Sequence, residues 1–127
     1  MKRMNARKPL NNVDLRQLAL TYVGRFATSE HKLAVYLTRK IRERGWDDAM
    51  SAQNAVAQTV ADMARAHFVD DRAYADLKAA SLTRRGYGAR RVQQALNMAG
   101  IAEDLRTEIV STTADSAEDA ALAYARR

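Results

Sequence analysis

The sequence predicts an all-α protein, an array of tandem three-helix repeats whose third repeat is incomplete. Three observations carry this. Apolar residues recur at three- and four-residue spacing along most of the chain. No segment keeps a period of two with β-branched residues, so strand signals are absent. The helical stretches fall into two similar triplets, which is a pattern of internal repetition.

Residues 1–12 contain the only proline, Pro9, and show no apolar period. They read as a flexible basic N-terminal arm. The first repeat spans 13–69. Asn12 is the expected N-cap of its first helix, roughly 13–27, with Leu15, Leu18, Ala19, Tyr22, Val23 and Phe26 on one face. Thr28 or Ser29 caps the second helix, where Glu30 in the first turn suits the helix dipole. That helix buries Leu33, Leu37 and Ile41, with Tyr36 beside them, and stops at Gly45. Ser51 caps the third, which places Ala55, Val56, Thr59, Val60 and Met63 inward. Phe68 and Val69 close the repeat.

The second repeat spans 70–114. Asp70 caps a helix from Asp71 to Arg85, with Ala73, Tyr74, Leu77 and Ser81 aligned. Gly86-Tyr87-Gly88 breaks it. A fifth helix over 89–99 aligns Val92, Ala95, Leu96 and Ala99 and ends at Gly100. A sixth, over 103–113, carries Leu105, Ile109 and Val110. Residues 115–127 read as the first helix of a third repeat that the sequence does not finish. Leu33 and Leu37 correspond to Val92 and Leu96 in the paired middle helices. The first of these helices is longer by about one turn, which keeps the buried face in phase.

Composition narrows the function. Of the 127 residues 47% are hydrophobic, but many are alanine, so a few larger side chains carry each packing contact. Lys and Arg number 21 against 15 Asp and Glu, giving +6 and a pI near 10.0. That charge suits an anionic partner, nucleic acid or an acidic protein surface, although solubility alone is the plainer reading. The absence of cysteine excludes disulfides and thiolate metal sites. No apolar run reaches the ~18 residues of a membrane span. Met1-Lys2-Arg3 is not followed by an apolar stretch, so no secretory signal is expected and the protein reads as cytoplasmic.

No catalytic set emerges. His31 and His67 have no metal-spaced partner. Ser29 and Ser81 have no activating base. Asp70-Asp71 and Asp47-Asp48 precede helices, where acids serve as caps. Gly86-Tyr87-Gly88 follows a helix and lacks the Gly-Lys-Ser/Thr ending of a phosphate loop. Neither a catalytic residue nor a cofactor or metal is expected.

The basic residues are the remaining candidates. Lys32, Arg39, Lys40 and Arg42 lie on the second helix. Arg84, Arg85, Arg90 and Arg91 gather around the glycine turn, and no acid stands among them. Arg90 and Arg91 open a helix, where the dipole disfavours cations by a few tenths of a kcal/mol to about 1. A bound anion would relieve that conflict. Tyr87 reads either as an inward plug or as a contact anchor. Acids collect instead toward the C-terminus, a polarity that steers docking.

At this point the residues resemble a family. "FVDDRAYA" (Phe68–Ala75), "RRGYGARRVQQAL" (Arg84–Leu96) and "AGI" (Ala99–Ile101) resemble the RecX recombination regulators, and "TSEHKLAVYLTRKIRERGW" (Thr28–Trp46) is similar to the family's first-repeat middle helix. The likeness covers about Leu15 to Val110 and matches at Asp70, Asp71, Tyr74, Arg85, Gly86, Tyr87, Gly88, Arg91 and Leu96. It implies an elongated, curved monomer that binds the RecA recombinase filament on single-stranded DNA. It also implies restraint of recombinase, ATPase and coprotease activities in DNA repair and the SOS response. Asp70, Asp71, Tyr74, Gly86, Gly88 and Leu96 then form the structural motif, and the arginines with Tyr87 are the contact candidates. Single- or double-stranded DNA is a further candidate partner. Family members usually complete a third repeat, whereas this sequence stops inside its first helix. Two other readings stay open: a small DNA-binding module using the 89–99 helix with Gln93 and Gln94, and a helical scaffold without nucleic acid.

Overall fold

A computed structural model describes residues 8–113. The expected seventh helix, over 115–127, lies outside the described residues. Five helices, α1 (Asn12–Arg25), α2 (Glu30–Arg44), α3 (Ala52–Arg65), α4 (Asp71–Arg84) and α5 (Ala89–Met98), are followed by a sixth, α6 (103–113). There is no strand among the described residues. The chain divides into two compact units, Met1–Asp70 and Asp71–Arg127.

In the first unit each helix starts at a side-chain cap. Asn11, rather than the expected Asn12, caps α1. Its side chain accepts the Asp14 N–H at 2.9 Å, and Asp14 accepts the Asn11 N–H at 3.1 Å. This reciprocal capping box needs an acid at the third helical position, and only a cap at Asn11 puts Asp14 there. Ser29 caps α2 through the Lys32 N–H at 3.2 Å, and Ser51 caps α3 through the Asn54 N–H at 3.1 Å. Gly45 ends α2 at φ 92°, in the left-handed region that favours glycine.

Leu15, Ala19, Leu33, Leu37, Ala55, Val56, Val60, Met63 and Val69 form the first core. Each large aliphatic side chain among them contributes about 1.5–3 kcal/mol by leaving water. Two expectations need correction. Phe26 follows α1 with an extended backbone, so it leaves the helical face and is 53% exposed. The arm expected to be loose over 1–12 is fastened at its end. Leu10 is fully buried and bridges Trp46, with its N–H on the Gly45 carbonyl at 2.9 Å and its carbonyl on the Asp47 N–H at 2.8 Å. A single leucine has no periodicity, so its anchoring leaves no sequence pattern. Residues 1–7 lie outside the described residues.

Two carboxylates tie segments of this unit together. Asp62 on α3 accepts from Arg16 of α1, from Arg65, and from Gln58 at 3.2 Å. The Arg16 hydrogen bond is the main reason its carboxyl lies below the usual carboxylate value. Asp48 accepts the Asn12 N–H at 2.9 Å and the Met50 N–H at 3.1 Å, which lower its pKa in that order.

The second unit packs α4, α5 and α6 around Tyr74, Ala75, Ala79, Leu82, Val92, Leu96, Ala99, Ile101 and Ile109. Leu105, Ala95 and Val110 pack against this core. The inward face of α4 differs from the expected one. Tyr74, Ala75, Ala79 and Leu82 face in, while Ala73 is exposed and Leu77 is 63% exposed. Alanine occurs on both sides of α4, so its sequence has little amphipathic contrast and packing chose the face. Arg72 on α4 and Glu108 on α6 form an ion pair at 2.9 Å.

Candidate functional site: an arginine–tyrosine junction

The junction begins with the way α4 ends. The Tyr87 N–H donates to the Leu82 carbonyl and the Gly86 N–H to the Thr83 carbonyl, each at 3.0 Å. Gly86 sits at φ 91°. This is a Schellman motif, in which a left-handed residue lets the chain fold back and satisfy two helix-terminal carbonyls. Gly88, at φ −90°, holds the N-cap position of α5 without a side-chain cap. Its backbone would suit any residue, so of the two glycines only Gly86 is required by conformation.

This reversal brings side chains from both sides of the turn to Tyr87. The guanidinium carbons of Arg85 and Arg91 lie 5.4 and 5.3 Å from the centroid of its ring. Tyr87 is 42% exposed, so it is not an inward plug. Each cation–π contact is worth about 0.5–1 kcal/mol at an exposed site. The two contacts offset part of the repulsion between guanidiniums gathered on one ring. Arg84, Arg85, Arg90 and Arg91 are all exposed, and none of them enters an ion pair among the described residues.

The four arginines do not form one tight group. Arg85 and Arg91 share Tyr87. Arg84 instead lines a groove with Arg72, Asp76, Glu108 and Thr112. Arg90 lies exposed on the first turn of α5. Behind the junction, Tyr74 and Leu96 are buried in the second core, with Leu96 fully so. Asp71 opens α4 directly after Asp70.

The α2 candidates also separate. Arg39 Cζ and Lys40 Nζ lie 5.5 and 5.7 Å from the Tyr36 ring centroid. Both are paired with Glu43, each at 3.7 Å. Tyr36 stacks on Tyr22 of α1, with centroids 4.1 Å apart and planes at 18°, and Tyr22 meets Phe26 at 5.1 Å. Lys32 is exposed four residues before Tyr36 on the same helical face, while Arg42 is exposed on another. The ring pairing across α1 and α2 was not anticipated from sequence. Periodicity assigns Tyr22 and Tyr36 to apolar faces but carries no information on ring stacking or on nearby cations.

Among the described residues no cluster of His, Asp or Glu is arranged to hold a metal ion, and no helix is long and apolar enough to cross a membrane. The fold and site define a module, helical throughout the described residues, that presents cations and an aromatic ring from a hydrogen-bonded turn. Residues 70–108 match the family model described as RecX, second three-helix domain, a span that holds α4, the whole junction, α5 and the start of α6. Over that span the chain is similar to the second three-helix domain of RecX proteins. No curated protein and no solved structure matches the chain.

Proposed function

We propose that the protein is a regulator that binds the RecA recombinase filament on single-stranded DNA and modulates, mainly inhibiting, its recombinase, ATPase and coprotease activities. The carrying observation is that Arg85 and Arg91 converge on an exposed Tyr87 and enter no ion pair among the described residues. Guanidiniums in this state favour carboxylates or phosphates on a partner, and an aromatic ring between them adds contact area. The uncapped start of α5 supplies amides of the same polarity. Arg84 and Arg90 widen the positive surface. No step of this function requires catalysis by the chain, and it operates as a cytoplasmic monomer.

The alternative, a module that reads DNA bases with α5, is disfavoured by one contact. Arg91 donates to Gln94 at 3.4 Å and also lies over Tyr87, so two of its candidate reading side chains face each other. The test is capture by purified RecA with and without single-stranded DNA and a non-hydrolysable ATP analogue. Binding should be strongest to the coated strand. Replacing Arg84, Arg85, Arg90 and Arg91 by Glu should abolish that binding and leave helicity intact. Unchanged binding of this variant would overturn the contact assignment. Tight binding of a defined duplex without recombinase would favour the base-reading alternative.

A further inference from the structure

The first unit carries a second aromatic and cationic surface that the junction does not use. We propose that Phe26, Tyr22 and Tyr36, flanked by Arg39 and Lys40, form a stacking platform for unpaired bases of single-stranded nucleic acid. This site lies wholly in the first unit and stands independently of the reading above.

Tyr22 and Tyr36 are stacked nearly parallel at 4.1 Å across two helices, and Phe26 meets Tyr22 at 5.1 Å with its ring tilted by 45°. Tyr22 and Tyr36 are half-buried, which fixes them, while Phe26 remains 53% exposed. A stacked ring pair held by two helices, with an exposed ring just past the end of one of them, offers a surface on which a base can stack. Arg39 and Lys40 lie beside Tyr36, at the other end of the row from Phe26, where the phosphates of a strand running along the rings would pass. Lys32 extends the same helical face.

The chemistry selects the ligand. A carboxylate-rich peptide would be drawn to the cations but repelled by the negative faces of the rings. A duplex keeps its bases stacked internally and offers none to the row. An unpaired strand satisfies both parts of the surface. Glu43 lies 3.7 Å from both cations, so it competes with phosphate and tunes the site downward.

The test compares fluorescein-labelled oligothymidylate with an abasic strand of the same length, by anisotropy, in the absence of recombinase. Wild-type protein should bind the thymidylate on the order of tenfold more tightly, the expected size of one stacked base. Phe26→Ala should remove that preference, and Phe26→Trp should restore it with quenching of the new indole. Glu43→Gln should tighten binding several-fold and steepen its salt dependence, by about 0.7 in the logarithmic slope per phosphate gained. Circular dichroism checks that each variant is folded. Equal binding of thymidylate and abasic strands would overturn the proposal, as would retained preference in folded Phe26→Ala. Equal binding of polyglutamate would assign the surface to an acidic protein and likewise overturn it. The variant with four junction arginines reversed should keep its thymidylate preference, which separates this site from the filament contact.

Discussion

Leu96→Ala tests how the junction is held in place. Leu96 is fully buried on α5, within a core that also contains Ala75, Ala79 and Ala99. Truncating a buried leucine costs about 2–5 kcal/mol, more where neighbours cannot move into the cavity. Methyl side chains on helices are too short to fill it, so the upper half of that range, about 3.5–5 kcal/mol, is expected here. A unit the size of Asp71–Arg127 has a total stability of roughly 3–9 kcal/mol at the usual value per residue. The substitution therefore removes about 40% of it or more. Urea unfolding followed by far-ultraviolet circular dichroism should show part of the helical signal lost at much lower denaturant. Trp46, the only tryptophan, packs against the first core and reports that unit separately. Its transition should not move. A cost below about 1 kcal/mol would refute the packing argument.

Two further substitutions probe the first unit. His67 occupies φ 65° at the end of α3, where the Phe68 N–H meets the Met63 carbonyl at 2.9 Å. His67→Gly should relieve left-handed strain and raise stability by up to about 1 kcal/mol, less the extra entropy of the unfolded glycine, as read from the urea midpoint. The Asp62 carboxyl is held below its usual value by Arg16, so its contribution is fully present above the ordinary carboxylate pKa and lost as pH falls through the lowered folded value. In Asp62→Asn the first unit should be less stable at neutral pH, and its Trp46 transition should depend less on pH in the acid range. An unchanged acid profile would show that the link to Arg16 does not contribute.

The helices were legible because their signals are local. Ser29 and Ser51 cap where expected, Gly45 and Gly100 stop helices, and Leu33, Leu37, Val92 and Leu96 are all fully buried. The cap of α1 was missed by one residue because Asn11 and Asn12 are equally good caps, and only the return bond from Asp14 separates them. The α4 face differs from the periodic expectation because alanines on all sides carry almost no directional signal. The arginine junction was visible as composition, but its division was not. Whether a guanidinium meets Tyr87 or turns into the groove beside Glu108 depends on backbone reversal at Gly86 and on the position of α6.

By itself, then, the sequence determined the all-helical class, the serine caps of α2 and α3, the buried leucines of the middle helices and the crowding of cations at a glycine turn. These follow from periodicity, capping and charge, each of which acts over a few residues. Tertiary structure decided which side of α4 faces inward, the burial of Leu10, the pairing of Tyr22 with Tyr36, and which two arginines share Tyr87. Those outcomes depend on segments that meet only after folding, where shape and burial outweigh local preference.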